Sequence, residues 1–162
     1  GDYSFSACEV WAKYAMSALS NHTLEFETRF TGPLPGTDQL PVQRWGMLGG
    51  SSTLYTFQVG EFFGDRVSFL ESEYSIPIDQ IRLPIIGTPA LEFLHAIGMA
   101  WTLNQSPEFE QNLGVRLQFP FVYGRFVFNP ADINSNKVSF GVSFPNSAYP
   151  WQNRTAQRPE IR

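Results

Sequence analysis

The stretch PVQRWGMLGGSSTLYTFQVGEFFGDRVSFLESEYSIP, Pro41 to Pro77, decides the fold. Its first part carries Gly46, Gly49, Gly50, Gly60 and Gly64, and glycine is the residue a chain uses where backbone doubles back or packs closely. From Asp65 the pattern becomes that of a strand, with Leu70, Ser72, Tyr74 and Ile76 on one face and Glu71, Glu73 and Ser75 on the other. A connection this long with no obvious helix or strand of its own is usually functional or disordered. The aromatics Trp45, Tyr55, Phe57, Phe62 and Phe63 argue against disorder. The expectation is a loop that folds back, packs inside something and feeds straight into a strand.

Period-two alternation continues on both sides of this stretch. In Asn21–Phe30, Leu24, Phe26, Thr28 and Phe30 oppose Thr23, Glu25, Glu27 and Arg29. In Asn112–Phe119, Leu113, Val115, Leu117 and Phe119 oppose Asn112, Gly114, Arg116 and Gln118. In Lys137–Phe144, Val138, Phe140, Val142 and Phe144 oppose Lys137, Ser139, Gly141 and Ser143. Tyr123–Asn129 adds Phe126 and Phe128 to the apolar side. Ala7–Met16 and Ala90–Thr102 alternate less cleanly and fit a short amphipathic helix as well as a strand. The sum is about seven strands, several near the ~9 to 11 residues that a tilted membrane strand requires. Connections read as alternately short and long: Phe119–Gly124 is tight, while the loop before Asp65 and the polar Asn129–Asn136 are long. Ile78–Pro89 is longer and more apolar than a tight turn. Residues 1–144 thus form the strand-rich part, and 145–162, with three Pro, three Arg and no periodicity, an irregular tail.

Composition narrows the function classes. Charged residues are 16% of the 162, against a usual share of about 25%, and there are 15 Phe. Much apolar surface therefore never meets water, yet no run of ~18 apolar residues offers a membrane helix. A net charge of -4 and a pI near 5.1 provide no basic stripe, so nucleic acid is not an expected partner. Cys8 stands alone, which excludes an internal disulfide and a paired-cysteine metal site. His22 and His95 sit in no metal-like or nucleophile–base arrangement, and Ser51 and Ser52 lack the second glycine of a nucleophile elbow. Asp132, Asn134 and Asn136 alternate like calcium ligands, but Lys137 and Ser143 stand where Gly and Glu are needed, so a solvated turn is expected. No catalytic residue, cofactor or metal is expected. The chain opens Gly-Asp-Tyr, without an initiator Met or signal segment, and reads as a fragment or as the product of leader removal.

Three motifs together resemble the C-terminal half of the barrel in the bacterial surface-antigen superfamily, which includes the outer-membrane barrel-assembly factor, its translocation-and-assembly relative and the two-partner-secretion transporters. The first is Gly49-Gly50, a spacer, an aliphatic-x-x-aromatic tip at Leu54 and Phe57, the Gly60-Glu61-Phe62 step, and Gly64-Asp65-Arg66 opening a strand that ends Glu73-Tyr74-x-x-Pro77. This is similar to the family's sixth extracellular loop and following strand. The second is the Gly114, Pro120, Gly124 spacing of a hairpin, and the third is KVSFGVSF, similar to the family's terminal strand. Two departures stand out. Tyr55 and Thr56 occupy the family's Arg-Gly at the tip, and Ala96 occupies the place of the acidic wall residue that the Arg reaches.

The resemblance implies an all-β fold: an antiparallel transmembrane β-barrel of sixteen strands, of which this chain supplies about seven together with the inward-folded loop. It implies an integral outer-membrane protein of Gram-negative type, engaged in insertion or translocation of other outer-membrane proteins or serving as a scaffold descended from that machinery. Implied partners are outer-membrane lipid, the remaining barrel strands and client outer-membrane proteins. Leu54, Tyr55, Thr56 and Phe57 would pack in the lumen. Glu61, Asp65, Arg66, Glu71, Glu73 and Arg116 would form the loop base and inner wall, and Lys137, Phe140, Gly141 and Phe144 a terminal-strand seam. With both halves of the ion pair absent, Tyr55 and Phe57 are expected to hold the loop in place of charge, because a lone buried charge would cost about 3–5 kcal/mol. The alternating pattern alone also admits a soluble β-barrel binding a small apolar ligand, whose interior would be apolar.

Overall fold

The computed structural model describes residues 5–142 apart from 20, 85, 86 and 104. Phe144 and the tail at 145–162 lie outside the described residues. The elements in chain order are β1 (Ala7–Ser17), β2 (Thr23–Pro33), a 3-10 turn (Val42–Arg44), β3 (Gly46–Leu48), β4 (Phe62–Gly64), β5 (Arg66–Pro77), β6 (Ala90–Trp101), β7 (Glu110–Gln118), β8 (Val122–Asn129) and β9 (Asp132–Val142). The fold is all-β. Seven strands form one antiparallel sheet in the order β1-β2-β5-β6-β7-β8-β9, and β3 and β4 form a separate two-stranded ribbon.

Alternation fixes the register, because a slip of one residue would carry every charged side chain to the opposite face. Glu92, Arg116, Arg125 and Ser139 lie in one cross-strand row, and Phe93, Val115, Phe126 and Val138 in the next. The two segments with an open helical alternative are strands β1 and β6. Pairing along the full length of a neighbour, Ala7–Ser17 against β2 and Ala90–Trp101 against β5, outweighs the modest helical preference of their Ala, Leu and Met.

Three expectations need correction. The Gly-rich connection contains a ribbon of its own, since Met47 pairs with Phe63 and Leu48 with Phe62. Asn129–Asn136 is not a long loop. The turn is Pro130–Ala131, Asn129 pairs with Asp132, and the strand resumes at once. The Asn129 Oδ1 accepts the Ala131 N–H at 2.9 Å and the Asp132 Oδ1 accepts the Asn134 N–H at 3.2 Å, and such side-chain-to-backbone bonds tighten a reversal that composition alone reads as loop. Asp132 to Asn136 is the start of β9, largely exposed as expected and irregular, because the register shifts between the Phe128–Asn136 and Asn129–Asp132 pairs. Short and long connections do not segregate either. Residues 78–89 share an end of the sheet with the tight 119–121 turn, and 130–131 shares the other end with 34–65.

The two faces differ in kind. One is covered by the 34–65 connection and carries Glu25, Glu27, Arg29, Glu71, Glu73, Glu92, Arg116 and Arg125 around an apolar centre of Val67, Phe69, Leu94, Ala96 and Val127. The other carries Val10, Tyr14, Met16, Phe30, Leu70, Phe93, Leu113, Val115, Leu117, Phe126, Val138, Phe140 and Val142, all exposed, and Phe140 is 82% exposed. Isolated exposed apolar residues are ordinary. A face on which they recur on all seven strands, with only Thr28, Ser68, Ser72 and His95 between them at the centre, is not. β1 and β9 are the outer strands, with no pairing between them among the described residues.

Candidate functional site

The site is the place where the tip of the 34–65 connection meets the sheet. The tip is shaped first by its own backbone. Gly49 has φ +110°, and a side chain there would sit 2.0 Å from the Gln58 carbonyl oxygen, so only glycine fits. The Gly49 N–H donates to Thr53 Oγ1 at 2.8 Å, the Gly50 N–H to the Phe57 carbonyl at 3.0 Å, and the Phe57 N–H to the Leu54 carbonyl at 3.2 Å. These bonds close a compact knot that presents Leu54, Tyr55 and Thr56 to the sheet. At the base, Gly64 lets backbone touch backbone, since a side chain there would lie 2.4 Å from the Trp101 carbonyl oxygen.

Leu54 and Tyr55 are buried in one apolar cluster with Leu48, Val67, Phe69, Ala96 and Val127, and Phe57, Phe62 and Ala100 pack against it. The Tyr55 hydroxyl donates to Glu71 Oε2 at 2.8 Å, and the Arg125 guanidinium lies 4.0 Å from the centre of the Tyr55 ring. Thr56 is gripped by one side chain. Asn112 Oδ1 accepts the Thr56 N–H at 3.1 Å, and Asn112 Nδ2 donates to Thr56 Oγ1 at 2.8 Å. Asn112 is 1% exposed and Thr56 half-buried, so removing the amide leaves the Thr56 N–H and hydroxyl without this partner. Asn112→Ala is expected to destabilise the fold by about 1–3 kcal/mol and to speed hydrogen exchange at the Thr56 amide. Unchanged exchange there would disprove the clamp.

Beside the tip, Arg116 holds two carboxylates. Its Nη2 lies 2.7 Å from Glu73 Oε1, and its Nε donates to Glu92. Arg116 also stands directly across from Arg125, and like charges facing each other in a ladder are unfavourable. The two carboxylates on Arg116 and the Tyr55 ring and Ser139 hydroxyl on Arg125 offset this. Lys13–Glu25 and Arg29–Glu27 continue the charged row toward β1. Lys13–Glu25 is well exposed and adds little stability.

The structure brings Leu54, Tyr55, Thr56, Phe57, Glu71, Glu73 and Arg116 together, and places others elsewhere. Glu61 is exposed and accepts the Gln58 N–H at 2.7 Å, which closes a turn within the loop rather than pinning the loop to the sheet. Asp65 is fully buried at the base, with Oδ1 3.4 Å from Arg66 and Oδ2 without a hydrogen-bond partner among the described residues. Arg66 shares the strand parity of Leu70, not of Glu71, and so leaves the loop-facing side. In β9, Phe140 lies on the apolar face, while Gly141 lies under the Tyr123 ring, 2.5 Å from where a side chain would begin. Lys137 is exposed on the loop-facing parity. Phe144 is outside the described residues. Sequence reasoning singled out neither Asn112 nor Arg125, although both fall on the polar parity of their strands. Glu92, buried on the same side, shares that parity.

Compared with known proteins, the chain matches no family model, no curated protein and no solved structure.

Proposed function

We propose that the chain is the C-terminal portion of an outer-membrane β-barrel in which the 34–65 connection is a lumen plug, working in insertion or translocation of outer-membrane proteins or as a scaffold descended from such machinery. The observation that carries this is the predominantly apolar face that runs across all seven strands, broken by Thr28, Ser68, Ser72 and His95, opposite a face where charges surround a packed loop. Hydrocarbon accepts the first face, and a hydrated interior the second. A soluble carrier of apolar ligands would place its greasy face inward and its carboxylates outward. Here Glu71, Glu92 and Arg125 are buried on the loop-covered side.

In this reading the outer strands β1 and β9 meet further strands of the barrel, because lipid does not tolerate unpaired edges. Lys137 to Val142 forms a seam, and no covalent chemistry is involved. The partners are outer-membrane lipid, those strands and client proteins. The test is detergent dependence: the purified protein is expected to show a β-sheet spectrum and run as a defined species only with detergent or lipid. A folded monomer in plain buffer would sink the proposal.

A further inference from the structure

The loop has a second face that nothing described here covers. The ribbon alternates like any strand pair, so Leu48 and Phe62 turn toward the sheet while Met47 and Phe63 turn away. Met47 is 66% exposed, Phe63 56% and Val59 85%. Val42 is exposed as well, and Trp45 stacks on Phe63 with centroids 5.8 Å apart, held by its Nε1–H bond to the Leu40 carbonyl at 2.8 Å. A cleft of about 430 Å³ opens alongside, lined in part by Trp45, Glu61, Phe63 and Gln105. The loop is therefore apolar on both sides. One side is accounted for by the core cluster, and the other is an ordered aromatic and aliphatic patch that water solvates poorly.

We infer that this outer side of the ribbon, centred on Met47, Val59 and Phe63, seats against an apolar patch on the inner wall of the barrel strands beyond β1 and β9. The inference rests on the barrel reading, which supplies the occupant. Strands that continue the sheet from both open edges must curve around the loop's free side, so the second contact continues the first around one plug. The chemistry follows from the patch. Its centre is apolar and its charges, Arg44 and Glu61, stand at the margin, so the facing wall presents aliphatic or aromatic side chains with polar groups kept to the rim. The plug is then clamped from two sides, by hydrogen bonds and a stacked guanidinium on the β5–β8 side and by apolar contact on the other.

The test uses the complete protein in its membrane, with the photoreactive phenylalanine derivative benzoyl-phenylalanine replacing Phe63 or Met47 in turn, and exposed Asn134 as the control. After irradiation, peptides are mapped by mass spectrometry, and heat-modifiable gel mobility reports in each sample whether a barrel has formed. The expected result is a barrel-positive sample in which positions 47 and 63 crosslink to strands outside residues 5–142 of the same barrel, at several-fold the yield of position 134. A barrel-positive sample with crosslinks only to other proteins, or with yields no higher than the control, overturns the inference and leaves the barrel reading standing. Absence of heat-modifiable mobility in the unsubstituted protein overturns the barrel reading, and the inference with it.

Discussion

Val115→Arg is expected to lower the unfolding free energy in lipid vesicles by about 2–4 kcal/mol, the cost of placing a guanidinium at mid-depth on the lipid side of a barrel. Val115 lies in the middle of β7, in the row Phe93, Val115, Phe126, Val138, all four exposed on the face away from the loop. In water an exposed site of this kind tolerates Arg to within ~0.5 kcal/mol, since the long side chain can lie along its neighbours and keep its charge hydrated. Hydrocarbon removes that escape. Asn134→Arg, at the exposed start of β9, serves as the control and is expected to stay within ~0.5 kcal/mol. Urea titrations extrapolated to zero denaturant measure both. Equal, small effects at the two positions would remove the energetic basis for a membrane-facing sheet.

Tyr55→Ala is expected to cost about 3–5 kcal/mol, in the range of large aromatic deletions from a packed core. The ring fills the buried space among Leu54, Phe69, Ala96 and Val127, supports the Arg125 guanidinium and carries the hydroxyl bonded to Glu71. Tyr55→Phe separates these contributions: packing and the stacked cation survive, and only the bond to Glu71 is lost, at about 1–3 kcal/mol. The ordering, Ala well below Phe below wild type, should appear in unfolding free energy and in protease cleavage between Gly49 and Gly60. Should Ala and Phe cost the same, the ring would not be holding the loop.

The same geometry gives a physical account of the uncharged tip at Tyr55 and of Ala96 on the wall. Ala96 is the cross-strand partner of Glu71 and lies in the apolar cluster with Tyr55. A carboxylate at 96 would face Glu71 directly, and a guanidinium at 55 would approach Arg125. In this chain the cation sits on the wall and the aromatic on the loop. An uncharged tip avoids leaving a buried ion without its counterpart, which is the costly arrangement.

Much of this was legible in the sequence. Strict alternation in β2, β7 and β9 fixed which side chains share a face, because a strand offers each residue only two directions and a charge cannot be moved across the sheet without moving every neighbour. The clustering of glycines marked the connection as one that packs closely. The ribbon inside the loop and the Pro130–Ala131 turn were not legible, because both rest on a few local hydrogen bonds in segments whose composition reads as loop. By itself, then, the sequence determined the cleanly alternating strands, their two faces and a loop that folds back, and left β1 and β6 open between strand and helix. Only the tertiary structure decided what the loop meets: Asn112 and Arg125 stand on β7 and β8, more than fifty residues from the tip in the chain, and no local pattern encodes a contact made by the register of intervening strands.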